Sequence, residues 1–402
     1  MLPAGGALCR HTRGMQADVI VVGLGAVGSA AAWQLARRGA RVLGLDRFSP
    51  PHDRGSSHGL TRVTREAVGE GEAYVPLVRR SHTIWAELQA TLGAEAGGPL
   101  MARTGVLYLG PAGSDAAFVA LTRRVAQRHG VPHEALTAAE VRRRWPQFRA
   151  QDDETAVFEP GAGVVFPERC VAAQLAMARR AGATLRGDSP VLRVARSANG
   201  IAVHTEGAVH HAPQVLLTAG AWLPGLLRDA APDAGLAWTQ KLRVLRQTLH
   251  WLAPTDPAPF MPTGCPTFVW TRGHRYEDTF YGMPMLDGVP GVKVGTEQFE
   301  HDTEPGALQR EVAEAETADL FDRLVQPRLA GLTPVAVKRA ACLYTMAADG
   351  RFRVDQPAAW PGLTVVSACS GHGFKHSAAL GEALAERVLQ GRSALDLTPF
   401  VP

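Results

Sequence analysis

The sequence predicts an α/β chain with a second lobe of α+β character. Residues 17–22 (ADVIVV) form a continuous apolar, β-branched run that passes directly into a glycine-rich turn and a helix-forming stretch, the pattern of a doubly wound parallel sheet. A second strand, glycine turn and helix follow at residues 363–391. Between them, residues 236–335 alternate short strand-like runs (LRQTLHWL, TFVW) with Pro/Gly-rich turns, which predicts a separate sheet-rich lobe.

Composition narrows the class. The 402 residues allow two or three domains. With 46% hydrophobic and 20% charged residues, the chain is globular rather than disordered. It contains no apolar run of about 18 residues, so no membrane span is expected. The 42 basic and 38 acidic residues are too balanced to indicate a nucleic-acid partner. The five cysteines (Cys9, Cys170, Cys265, Cys342 and Cys369) are widely spaced and include no CxxC pair, which argues against a disulfide framework and against a metal site. Residues 1–16 lack an apolar leader core, so 1–14 are expected to be a loose extension of a cytoplasmic protein. Lysine is scarce: only Lys241, Lys293, Lys338 and Lys375 occur, the other basic residues being arginine. A compact ammonium and a planar guanidinium are not interchangeable at a tight site, which draws attention to these four.

In the first unit, Gly23-Leu24-Gly25-Ala26-Val27-Gly28 follows the strand. Gly23 permits the tight turn, Gly25 lets the backbone approach a pyrophosphate, and Gly28 lets helix pack on strand. The helix ends at Gly39, a second strand covers 41–45, and Asp46 follows, placed to accept from a ribose 2′-OH. This is a Rossmann-type dinucleotide unit, and the motif alone does not separate NAD from FAD. In the Gly/Ser loop after it, Arg62 and Arg65 stand three apart. A helical turn would put both guanidiniums on one face, suited to a carboxylate or a polarised ring, and a solvated loop is the plainer alternative. In the closing unit, Ser370-Gly371-His372-Gly373 turns into a helix from Ser377 that carries Leu380, Leu384 and Val388 on one face. Cys342 reads as a small core residue, with Tyr344 on the same side of its strand. Lys293 reads as a strand lysine. Scaffold helices are expected with apolar faces Leu77/Ile84/Trp85/Leu88/Leu92 and Phe118/Leu121/Val125, with a capping box at 137–140, and over 307–330.

Several segments together resemble the monomeric sarcosine oxidase and N-methyltryptophan oxidase family: PPHDRGSSHGLTRVTR from Pro50, GEGEAYVPL from Gly69, RTGVLYLGP from Arg103, RRWP from Arg143, TAGAW from Thr218, RAACLYT from Arg339, SGHGFK from Ser370 and DLTPF from Asp396. Phe280-Tyr281-Gly282-Met283-Pro284 and Gly291-Val292-Lys293-Val294-Gly295 add to it. The resemblance implies a Rossmann-type FAD-binding domain (15–99, 155–235 and 336–402) and a sheet-rich substrate domain (100–154 and 236–335). It implies FAD attached through a thioether to Cys342, with Gly23, Gly25, Ala26, Val27, Gly28, Asp46, Arg47, His58, Thr61, Val191, Gly220, Trp222, His372, Gly373 and Phe374 at the cofactor. It maps Arg65 and Lys375 to the substrate carboxylate, the Gly371 carbonyl to the amine, Arg62 to the flavin ring, Tyr281 and Tyr344 to the substrate pocket and Lys293 to dioxygen activation. The expected protein is a monomeric enzyme that oxidises an amino acid with a secondary amine by hydride transfer to FAD, with O2 as acceptor, H2O2 as product and an imine that hydrolyses. A flavin dehydrogenase with another acceptor and a non-catalytic FAD-binding relative are the alternatives. Two substitutions bear on the substrate: Glu297 stands where these relatives have histidine, and Val269 where the sarcosine enzyme has methionine. Ser57 and Leu60 replace a histidine and an aspartate common in the family.

Overall fold

Two large sheets and two small three-stranded ones make up the β-structure of the described residues. The computed structural model describes residues 14–113, 117–198, 200–234, 236–272 and 279–402; the extension expected over 1–14 lies outside these except for Gly14. The first sheet has six strands in the order Arg353–Asp355, Leu363–Ser367, Gln214–Leu217, Val19–Val22, Val42–Leu45 and Thr184–Arg186. All neighbours are parallel except the antiparallel pair at the Arg353–Asp355 edge. Val19–Val22 and Val42–Leu45 are buried at every position, as a parallel sheet covered on both faces requires. One cover is a helical layer. Ala26–Ala36 and Ser377–Gln390 pack so closely that a Cβ on Gly381 would lie 2.3 Å from Ala30 Cβ. Val75–Leu92 joins them with the expected face of Leu77, Ile84, Trp85, Leu88 and Leu92 buried.

The second sheet has eight strands in the order Leu332–Met346, Arg243–Pro254, Val292–Thr296, Thr279–Met283, Thr267–Thr271, Val106–Pro111, Glu154–Glu159 and Glu134–Thr137. Side chains alternate across it. Phe268, Trp270, Phe280, Val292 and Val294 enter one core, so Val269, Tyr281 and Lys293 project from the opposite face, toward the first sheet. Arg62–Thr64, Gly163–Val165 and Met101–Arg103 form a small sheet of their own.

Three expectations need correction, and the expected domain boundaries fall inside strands. Arg62 and Arg65 are not on a helical turn: Arg62–Thr64 is a strand paired with Gly163–Val165, and its β-branched Val63 and Thr64 favour that extended pairing. The expected boundaries at 154/155 and 335/336 cut into two strands of the eight-stranded sheet, Glu154–Glu159 and Leu332–Met346. The helix Phe118–Arg128 buries Val119, Thr122, Val125 and Ala126, leaving Phe118 and Leu121 partly uncovered. The helix expected over 307–330 is confined to Glu314–Leu320 and a wider turn at Phe321–Val325. The capping box is present: Thr137 Oγ1 accepts from Glu140 N (3.3 Å) and Glu140 Oε2 from Thr137 N (2.8 Å).

Candidate functional site

A cavity of about 590 Å³ runs from the first glycine turn to the Gly371–Lys375 turn. At its first end the wall is backbone. Gly23 has φ +90°, and a Cβ there would lie 2.6 Å from Thr218 O; a Cβ on Gly28 would lie 1.8 Å from Gly23 O. Gly25, with no side chain, caps the helix Ala26–Ala36, so the N–H groups of its first turn beyond Ala26 and the partial positive charge of the helix end face the cavity. Ser57 Oγ accepts from Ala26 N at 3.3 Å, which gives that departure from the family pattern a role in the loop. Asp46 accepts from Leu24 N (2.7 Å) and Phe48 N (2.9 Å), so its carboxylate fixes the turn as well as lining the cavity. Phe48, His52 and Trp222 form edge-on ring contacts at 5.2 and 5.5 Å, and Arg47, Val191 and Gly220 line the same end.

The other end is built from buried charge. The Arg65 guanidinium grips Glu70 with both bonds from Nη2, at 2.6 and 2.7 Å, and Lys375 Nζ lies 3.5 Å from the same carboxylate. Nη1 of Arg65 donates to Ala67 O and Lys375 Nζ to His372 O. Burial disfavours the charged form of Glu70, yet Arg65 and then Lys375 hold it well below the ordinary carboxylate range. Burial also pulls Lys375 down, to about 8 against the support of Glu70. Two cations in a cavity wall thus converge on one carboxylate.

Between the two ends, Arg62 donates to Thr61 O, Ser56 O and, at 3.4 Å, Cys342 Sγ. Lys293 Nζ donates to Gly59 O (2.7 Å) and Thr61 O (2.8 Å) and lies over the Trp251 ring. Burial and Arg62 push Lys293 well below the usual lysine range. The turn that carries these carbonyls is pinned by Glu168, which accepts from Gly59 N and Leu60 N, with Leu60 in the left-handed region at φ +67°. His58 is buried and, by desolvation and then Arg62, pushed down to about 3, so it is neutral. Tyr281 and Tyr344 face the cavity, and burial raises Tyr281 to about 12. Gly371, at φ +79°, leaves a notch. A Cβ there would sit 3.2 Å from the Tyr344 ring and 3.8 Å from Glu297 Oε1.

Most residues singled out from the sequence therefore meet on one cavity, including Arg62, Arg65, Tyr281, Tyr344, Glu297 and Lys375, with Val269, His372, Gly373 and Phe374 beside them. Gly28, His58, Thr61, Lys293 and Cys342 do not line it, although Cys342 Sγ lies 3.4 Å from the lining residue Arg62. Sequence reading missed Glu70, although it lies in the GEGEAYVPL run five residues from Arg65, and missed Thr345, next to Tyr344. Thr345 Oγ1 and His372 Nδ1 are buried, belong to cavity-lining residues and have no hydrogen-bond partner. Among the described residues no cluster of His, Cys, Asp and Glu could hold a metal ion, and no helix is long and apolar enough to cross a membrane.

The chain matches known proteins over nearly its whole length. A family model described as FAD dependent oxidoreductase matches residues 18–387. A monomeric sarcosine oxidase from Streptomyces avermitilis is 37% identical, the match covering 96% of this chain and 97% of the relative. An N-methyl-L-tryptophan oxidase from Salmonella arizonae is 34% identical over 96% of this chain and 98% of the relative. The solved open form of NikD, an unusual amino acid oxidase essential for nikkomycin biosynthesis, superposes with a TM-score of 0.81 at 25% identity, covering 96% of this chain and 98% of that one. With a glycine-turn cradle at one end of its cavity and a cation pair at the other, the chain belongs to the FAD dependent oxidoreductase family and is a homologue of its sarcosine and N-methyl-L-tryptophan oxidases.

Proposed function

We propose that this enzyme oxidises amino acids bearing a secondary amine, with FAD linked to Cys342 and dioxygen as the final acceptor. The observation that carries the reading is the convergence of Arg65 and Lys375 on the Glu70 carboxylate, because a buried site that holds one carboxylate this way can hold another in its place. The cavity fits FAD on its own features. The helix N-terminus after Gly25 suits a pyrophosphate, and the partnerless Thr345 Oγ1 and His372 Nδ1 await polar atoms. His372 Nε2 faces Gly350 O at 3.1 Å; a carbonyl only accepts, so Nε2 carries the proton and Nδ1 is an acceptor.

When bound, FAD supplies a hydride acceptor and hands the electrons on to dioxygen. The chain's residues do the rest. The substrate carboxylate takes the position of Glu70 at Arg65 and Lys375, which fixes the amine and its neighbouring C–H in the cavity. Tyr281 and Tyr344, kept neutral by burial, wall the substrate without adding negative charge. Arg62 and the protonated form of Lys293 place positive charge at the wall beside Cys342, where charge develops during electron transfer to dioxygen. The Gly371 turn offers its backbone to the amine. The test is anaerobic titration of the purified holoenzyme with sarcosine, N-methyltryptophan, pipecolate, proline and primary amines. Bleaching of the flavin by a secondary-amine amino acid supports the reading, and a yellow protein bleached by none of them overturns it.

A further inference from the structure

Phe118 stands where three parts of the site meet. Its ring lies 5.2 Å from the Arg65 guanidinium carbon, with the Tyr108 ring 5.5 Å away. A Cβ on Gly69, next to Glu70, would come within 2.8 Å of Phe118 Cε2, so the backbone that carries Glu70 packs directly on the same ring. Phe118 also lines the cavity, together with Val63, Val269 and Met283. Phe118, Val63 and Val269 are only partly buried and pack on one apolar cluster. Val63 reaches that cluster because side chains alternate along Arg62–Thr64, with Arg62 turned to Cys342. An incompletely covered apolar surface inside a cavity, touching the group that holds a carboxylate, fits an apolar substituent on the carbon next to that carboxylate.

We propose that Phe118 is a specificity-determining residue that couples carboxylate recognition to the size of the substrate's side chain. The inference rests on the carboxylate role of Arg65 argued above. One interaction of the ring stabilises the guanidinium, worth about 2- to 30-fold in affinity. The other covers the substrate's apolar carbons, worth about fourfold per methylene buried.

Two variants separate these effects. Phe118→Leu keeps an apolar wall and loses the ring face; Phe118→Trp keeps a ring face and narrows the bay. The holoenzyme and each variant are titrated with acetate, butyrate and hexanoate, reading binding from perturbation of the flavin spectrum, which needs no turnover. Flavin content and melting temperature confirm that each variant is folded. Wild type is expected to bind the longer chains more tightly. Phe118→Leu should weaken all three by a common factor, with the ladder intact. Phe118→Trp should flatten or invert the ladder, binding hexanoate worst. Affinities indifferent to chain length in wild type, or a ladder unchanged by both substitutions, would overturn the assignment, and so would absence of any carboxylate binding. Carboxylates binding in the expected order, while no secondary-amine amino acid reduces the flavin, would instead retain Phe118 and discard the amine-oxidase reading.

Discussion

The two ends of the cavity are made from different materials. Around Gly23–Gly28 the wall is backbone, and each feature follows from the absence of a side chain: positive φ at Gly23 and an interatomic gap at Gly28 too small for any Cβ. Around Arg65–Glu70–Lys375 the wall is three buried charged side chains, two from one segment and Lys375 from far along the chain. The first kind of site tolerates no side chain at Gly23 or Gly28. The second adjusts if, as proposed, a ligand carboxylate competes with Glu70 for the same cations, and Lys375 titrates.

The largest expected effect is at the backbone end. Gly28→Val must displace Gly23 O, and the protein should be recovered without FAD, measured as flavin absorbance per polypeptide. Next comes Arg65→Gln, which leaves Glu70 buried with a weaker partner. Truncating one partner of a buried, hydrogen-bonded charge pair costs a ligand about 2–5 kcal/mol, which predicts a rise in KM of more than about 30-fold in steady-state kinetics. Lys375→Met should raise KM less, since its 3.5 Å approach to Glu70 is longer than either Arg65 bond. Lys293→Met should slow flavin reoxidation by O2 far more than flavin reduction in stopped-flow traces. Cys342→Ser should render FAD extractable by acid while leaving the Gly23–Gly28 cradle intact.

The smallest effect is on pH. Lys375 is protonated below about 8 and loses its charge above. Affinity for an anionic inhibitor should therefore fall as pH rises through about 8, and Lys375→Met should remove that inflection. Removal of FAD should leave the ion triad in place, because none of its contacts involves the cradle.

Legibility in the sequence followed the same division. The cradle is local: strand, glycines, helix and Asp46 lie within 30 residues, and their spacing reports their geometry. The inward faces of the second sheet were also legible in principle, because Val269, Tyr281 and Lys293 each alternate with residues of one core, such as Phe268, Phe280 and Val292. Glu70 was not, since an acidic residue in a Gly-rich loop reads as solvated until tertiary structure brings Arg65 and Lys375 around it. For Arg62 and Arg65 the local spacing allowed either a helical turn or a solvated loop, and pairing of Arg62–Thr64 with Gly163–Val165, a contact distant in sequence, made a strand there instead. Phe118 was assigned to a scaffold face because it stands at helical spacing from Leu121 and Val125, but the helix buries Val119, Thr122, Val125 and Ala126, and the position of Arg65 makes Phe118 part of the site.

The central claim is that the cation pair positions a carboxylate so that the adjacent amine is oxidised. It is tested most directly by comparing anaerobic flavin reduction by an N-methyl amino acid with reduction by the amine that lacks only its carboxylate. Rapid bleaching by the acid and far slower bleaching by the amine at equal concentration is the predicted result. Equal rates for the two, or no bleaching by the acid, would contradict the account.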